Sequence, residues 1–89
     1  MKKRIKTGQN VTWQRKQCNI FTGQVLGFCP LNTAIKDAID ISKFNKLELT
    51  KINVNNNGID RYLIYVINIG VVSVSASTIE KQNPDAERY

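Results

Sequence analysis

Glycine and asparagine cut this chain into short β-type runs, and that punctuation decides most of what it can become. Gln9 to Arg15 alternates, with Val11 and Trp13 on one face and Asn10, Thr12 and Gln14 on the other, which is the pattern of a strand with one wet side. Ile20 to Phe28 (IFTGQVLGF) reads as a second strand, and Gly23 and Gly27 inside it point to the bends or bulges that curl a sheet. Lys46 to Val54 and Ile59 to Ile67 flank Asn55-Asn56-Asn57-Gly58, and an Asn-Gly pair between apolar runs is the strongest short-range hairpin signal. Asn68 to Gly70 makes another tight connection, and Val71 to Ala76 follows as a shorter strand. Ser77 to Lys81 (STIEK) then reads as one helical turn that tucks Ile79 under the sheet.

The stretch from Pro30 to Asn45 breaks the β rhythm. Asn32 or Thr33 can cap a short helix in which Ile35, Ala38 and Ile39 share a face, while Ile39-Asp40-Ile41-Ser42 also serves as an alternating strand. The expected fold is mainly β: a small five-stranded barrel or curled antiparallel sheet, with one short helix or long loop near 33–42. Eighty-nine residues allow one domain, read here as a basic flexible arm at 1–7, a single domain at 8–82 and a polar tail at 83–89. Such a chain buries only about 60 to 65% of its unfolded surface. Binding is therefore expected on the surface or between subunits.

Charge is unevenly spread. The first sixteen residues hold six bases, Lys2, Lys3, Arg4, Lys6, Arg15 and Lys16, and no acid, which equals the net +6 of the whole chain. From Gln17 to Ile79 five bases meet four acids, and Glu80 onward is slightly acidic. Clustered positive charge attracts a polyanion by steering and counterion release better than the same charge spread evenly. No apolar run approaches the ~20 residues of a membrane span, and Met1 to Lys6 is not followed by the apolar stretch of a signal peptide. The expectation is a cytoplasmic protein without a membrane partner.

There is no histidine, so histidine-based zinc sites and Ser-His-Asp or Cys-His catalysis are excluded. Two cysteines alone cannot close a four-ligand metal site, and no cofactor is implied. Cys18 and Cys29 flank an extended run, which would set them ~36 Å apart if straight. Two thiols in a reducing compartment are the reading favoured over a disulfide. Arg15 and Lys16 can lower the Cys18 thiol pKa, yet no general base accompanies it. Asp37 and Asp40 would lie on one side of a helix, with nothing near them in sequence to shift their titration.

The order of parts resembles a known architecture. Gly8-Gln9-Asn10-Val11, Thr22-Gly23-Gln24-Val25-Leu26-Gly27-Phe28, Arg61-Tyr62-Leu63-Ile64-Tyr65-Val66 and Val72 to Glu80 resemble the G-x-x-V start, G-x-V-x-G turn, Y-x-V strand and closing strand with one-turn helix of Src-homology-3-like small barrels. The resemblance covers about two thirds of the chain and leaves Cys29 to Asn53 outside it. Among such barrels, the KOW and Tudor type is similar in its basic arm and aromatics, which implies nucleic-acid or chromatin binding. The strand rhythm also resembles type II dihydrofolate reductase, but Val72-Ser73-Val74-Ser75 stands where that family carries V-Q-I-Y, and the glutamine and tyrosine it needs are missing.

These observations lead to a small, non-catalytic binding module that contacts DNA or RNA backbone without strong sequence readout. The residues expected to carry it are Lys2, Lys3, Arg4, Lys6, Arg15 and Lys16, with Tyr62 as a stacking ring. Tyr62 and Tyr65 lie on opposite faces of one strand, so one of them faces out. Trp13 aligns with Val11 on the buried face. The alternative is a protein-interaction adaptor of the same fold that uses exposed aromatics or strand edges, with an acidic protein surface as partner and homo-oligomerisation open. An enzyme built at a subunit interface is the third and least favoured class.

Overall fold

The computed structural model describes residues 4–14, 19–49 and 58–88. Four strands, β1 (Asn10–Gln14), β2 (Ile20–Cys29), β3 (Arg61–Val66) and β4 (Gly70–Ser75), form an antiparallel sheet in the order β1-β2-β3-β4. A short helix, α1 (Ile35–Ala38), and a 3-10 turn at Ile41–Lys43 lie between β2 and β3, and α2 (Ala76–Gln82) follows β4. The domain is mainly β, as its punctuation implies. Among the described residues the antiparallel sheet has four strands and is not closed, so of the expected five-stranded barrel or curled antiparallel sheet the barrel is not confirmed.

The reason is local. In the run expected as a further strand, Lys46 to Leu49 is a turn, closed by reciprocal bonds in which Asn45 N–H donates to Glu48 Oε1 at 3.1 Å and Glu48 N–H to Asn45 Oδ1 at 2.8 Å. Side chains that satisfy backbone donors in this way favour a turn over a ladder. The rest of that run and Asn55 to Asn57 of the expected hairpin lie outside the described residues.

α1 is shorter than expected and carries no side-chain cap. It ends because Ile39 is extended (φ −140°) and Asp40 caps the next turn, accepting from Ser42 N–H at 3.1 Å and Ser42 Oγ at 2.5 Å. Those two bonds lower the Asp40 pKa. Asp37 and Asp40 therefore do not share a helix face.

Both faces of the sheet are covered, unequally. The main core joins Val11 and Trp13 of β1, Val25 of β2, Tyr62, Ile64 and Val66 of β3 and Val74 of β4 with Ile5, Ala76 and Ile79. Trp13 and Ile79 are buried, as their positions in the alternation imply. On the other face Cys29 and Leu63 pack against Ile35, flanked by Leu26, Ala38, Ile39 and Ile41. The Cys29 thiol points to the Thr33 carbonyl at 3.3 Å.

A bulge in β2 distributes these residues. Val25 pairs with Ile64 and Gly27 with Leu63, so Leu26 is an extra residue opposite nothing. The slip of one residue exchanges the faces beyond it. Val25 and Phe28, three apart, thus both meet the main core, while Cys29 goes to the smaller one. Gly23 permits a close approach to β3, since a Cβ there would lie 2.5 Å from Ile64 Cγ2 and 2.6 Å from the Tyr65 carbonyl oxygen. Among the described residues no helix is long and apolar enough to cross a membrane.

Candidate nucleic-acid interface

Residues 4–7 were read from their charge as part of a flexible arm, but they are docked on the body. Ile5 is 2% exposed and forms a bridge with Arg88. Its N–H donates to Tyr62 Oη at 3.1 Å, and Lys6 N–H donates to the Glu87 carbonyl at 3.0 Å. With Ile5 inward, the extended backbone turns Arg4 and Lys6 to solvent. The stretch from Asn83 likewise packs back, with Ala86 against the main core.

Arg4 lays its guanidinium 3.8 Å from the centre of the Phe28 ring. This contact fixes the side chain without neutralising it, since the ring quadrupole carries no net charge. Lys6 Nζ sits 3.8 Å from Glu87, with both side chains well exposed, so salt screens that pair readily.

Tyr62 is not an exposed stacking ring. It is 0% exposed, and its edge meets Phe28 at 5.3 Å between centroids. Its hydroxyl accepts from Ile5 and donates to Glu80 Oε2 at 2.7 Å, while Arg88 Nη1 lies 4.0 Å from the same carboxylate oxygen. Burial, reinforced by the carboxylate that accepts its proton, pushes the Tyr62 pKa up to about 12. The ring is a structural post, and the reason is that β3 is buried on both faces.

Tyr65 is the half-buried ring of that strand. It stacks on Phe44 at 6.0 Å, and its hydroxyl donates to Glu48 Oε2 at 2.7 Å. The bond lowers the Glu48 pKa and raises that of Tyr65. A carboxylate held ionised beside the ring disfavours a phosphate there.

Phe28 is the aromatic residue that sequence reasoning left out of the site. It lines a cleft of about 580 Å³ with Arg4 on one side, Leu31 and Ile59 as apolar wall, and Asp60, Ser75, Ser77 and Glu80 as polar groups. Leu31 N–H donates to Asp60 Oδ1 at 3.0 Å, and the Ser75 and Ser77 hydroxyls are 3.0 Å apart. No pattern in the sequence announces this cleft, because the bulge at Leu26 decides which face Phe28 joins.

Lys2, Lys3, Arg15 and Lys16 lie outside the described residues. The chain leaves β1 at Gln14 and enters β2 at Ile20, which pair with each other, eight residues along β2 from Phe28. At ~3.3 Å per residue this places the Gln14–Ile20 end up to about 26 Å from the ring beneath Arg4. Arg4 and the paired Gln14 and Ile20 thus lie at opposite ends of β2. Among the described residues eight bases face seven acids, and no group of three potential metal ligands is found. No family model matches this chain, and no curated protein or solved structure is significantly similar to it.

Proposed function

We propose that this protein is a small, non-catalytic binding module for the backbone of DNA or RNA. Lys2, Lys3, Arg4, Lys6, Arg15 and Lys16 are its phosphate contacts. The observation that carries the reading is the partition of charge. The first sixteen residues hold six bases and no acid, while the rest of the chain is balanced, with seven bases and seven acids. A compact body carrying separate cationic segments gains affinity for a polyanion from counterion release, with no base-edge contact required. The Src-homology-3-like pattern of the sequence, in its KOW and Tudor form, supports the same class of partner.

The test is binding of a mixed-sequence DNA duplex and a single-stranded RNA across a salt series. Because Ile5 belongs to the core, deleting the first residues would confound charge with stability. The comparison is therefore the full chain against Lys2→Gln/Lys3→Gln/Arg4→Gln/Lys6→Gln. Affinity should fall steeply with salt, and the variant should lose about one unit of log-log slope for each contact removed. Absence of binding at low salt, or affinity indifferent to salt, would overturn the proposal and favour an adaptor that binds protein.

A further inference from the structure

Among the described residues β1 is the outermost strand of the sheet, and such a strand presents N–H and C=O groups with which another chain can pair. The common guards are charged side chains and proline, and Asn10–Gln14 (NVTWQ) contains neither. Val11 and Trp13 face Gly23 and Phe21 across the ladder with β2. The backbone groups of Thr12 and Gln14 instead meet side chains from the end of α2.

Asn83 Oδ1 accepts from Thr12 N–H and Asn83 Nδ2 donates to the Thr12 carbonyl, both at 2.9 Å. Gln82 repeats the arrangement at Gln14, with Oε1 accepting from its N–H at 2.8 Å and Nε2 donating to its carbonyl at 3.5 Å. A primary amide offers one acceptor and an adjacent donor, as a strand residue does. Two consecutive amides therefore occupy two consecutive outward positions of β1, and they run antiparallel to it.

We infer that Gln82 and Asn83 stand in for a fifth strand, and that they hold off a second copy of this chain. The strand itself indicates that occupant. An antiparallel β1 pair centred on Thr12 sets Thr12 against Thr12 and Asn10 against Gln14, so one two-fold axis satisfies both edges with the same groups. The outward side chains Asn10, Thr12 and Gln14 are uncharged and exposed, so no like charges oppose the approach. Opening the two amides turns two four-stranded sheets into one continuous sheet.

The test is the mass of Gln82→Ala/Asn83→Ala by sedimentation equilibrium over a concentration series, beside the parent chain. The variant should show twice the parent's mass at concentrations where the parent shows no increase. Adding Thr12→Pro, at a position whose N–H points away from β2, should return the mass to the parent value. A folded double variant with the parent's mass throughout would overturn the inference. Asn83 Nδ2 also bonds the Ile79 carbonyl at 2.8 Å at the end of α2. If the double variant does not fold, Gln82→Ala alone leaves that bond intact. Its doubling at the highest concentrations supports the inference, and an unchanged mass refutes it.

Discussion

Tyr62 and Tyr65 stand three residues apart on β3, and each gives its hydroxyl to a glutamate at the same 2.7 Å. Chemically the two pairs are identical, yet they do different work. Tyr62 lies between the sheet and α2, where its oxygen also accepts from Ile5 and its partner Glu80 lies beside Arg88. One hydroxyl there ties together the docked segment at 4–7, the central strand, α2 and the returning stretch at 83–88. The Tyr65 pair lies at the surface and holds only the Asn45–Glu48 turn against β3. The difference teaches that a hydrogen bond's worth is set by what is left unsatisfied when it breaks, which is costly in the core and slight in water.

The largest expected effect comes from removing the buried ring. Tyr62→Ala should cost about 3–5 kcal/mol, a large share of the stability of a domain this size. The fluorescence of Trp13, the only tryptophan, follows the urea transition. Tyr65→Ala should move the midpoint much less, and equal losses would break the comparison. Next is alkaline pH. The folded Tyr62 pKa lies above its ordinary value of 10.0, so the contribution of this group is fully present below about pH 10 and is lost as pH rises toward about 12. The difference between the parent and Tyr62→Phe across that window isolates this titration from the others.

Tyr62→Phe itself keeps the ring but leaves the Ile5 N–H without its acceptor and takes one donor from a Glu80 oxygen that keeps Arg88 beside it, which should cost about 1–3 kcal/mol at neutral pH. Loss of amide-exchange protection at Ile5 would show the tie released. The smallest effect belongs to Glu48. Its pKa is lowered by the bond from Tyr65, so its contribution is present above the ordinary carboxylate value and fades as pH falls through the lowered one. Tyr65→Phe should weaken that acid-side dependence, leaving the part due to the Asn45 N–H, with little change at neutral pH. A neutral-pH loss as large as that of Tyr62→Phe would erase the distinction between the two pairs.

These two tyrosines also mark where the sequence was legible. β1, with one face in water, reads directly: Val11 and Trp13 inward, Thr12 and Gln14 outward. Strand β4, the turn at Asn68 to Gly70 and the burial of Ile79 follow from the same alternation and punctuation. On β3 the alternation loses its meaning, because Leu63 is covered by the α1 side and Tyr62 and Ile64 by the α2 side. Which tyrosine is exposed then depends on how far each covering layer extends, and that is tertiary information. The Arg4–Phe28 contact was hidden for a related reason. The slip at Leu26 is set by the pairing of β2 with β3, and only after it does Phe28 share a face with Val25. The docking of Ile5 was masked by its neighbours, whose charge suggests solvent while the apolar residue between them supplies the anchor.

The bridge between Ile5 and Arg88 joins residues nearly a chain length apart. Closing so large a loop is entropically the dearest contact in the fold, whereas the hairpins β1–β2 and β3–β4 need only local closure. The hairpins are therefore expected to form early and the clasp around the Tyr62 hydroxyl late. Interactions that form after the rate-limiting step act on escape from the native state. Tyr62→Phe should accordingly leave the refolding rate nearly unchanged and accelerate unfolding, which makes the clasp a determinant of how long the folded molecule lasts rather than of how fast it is made.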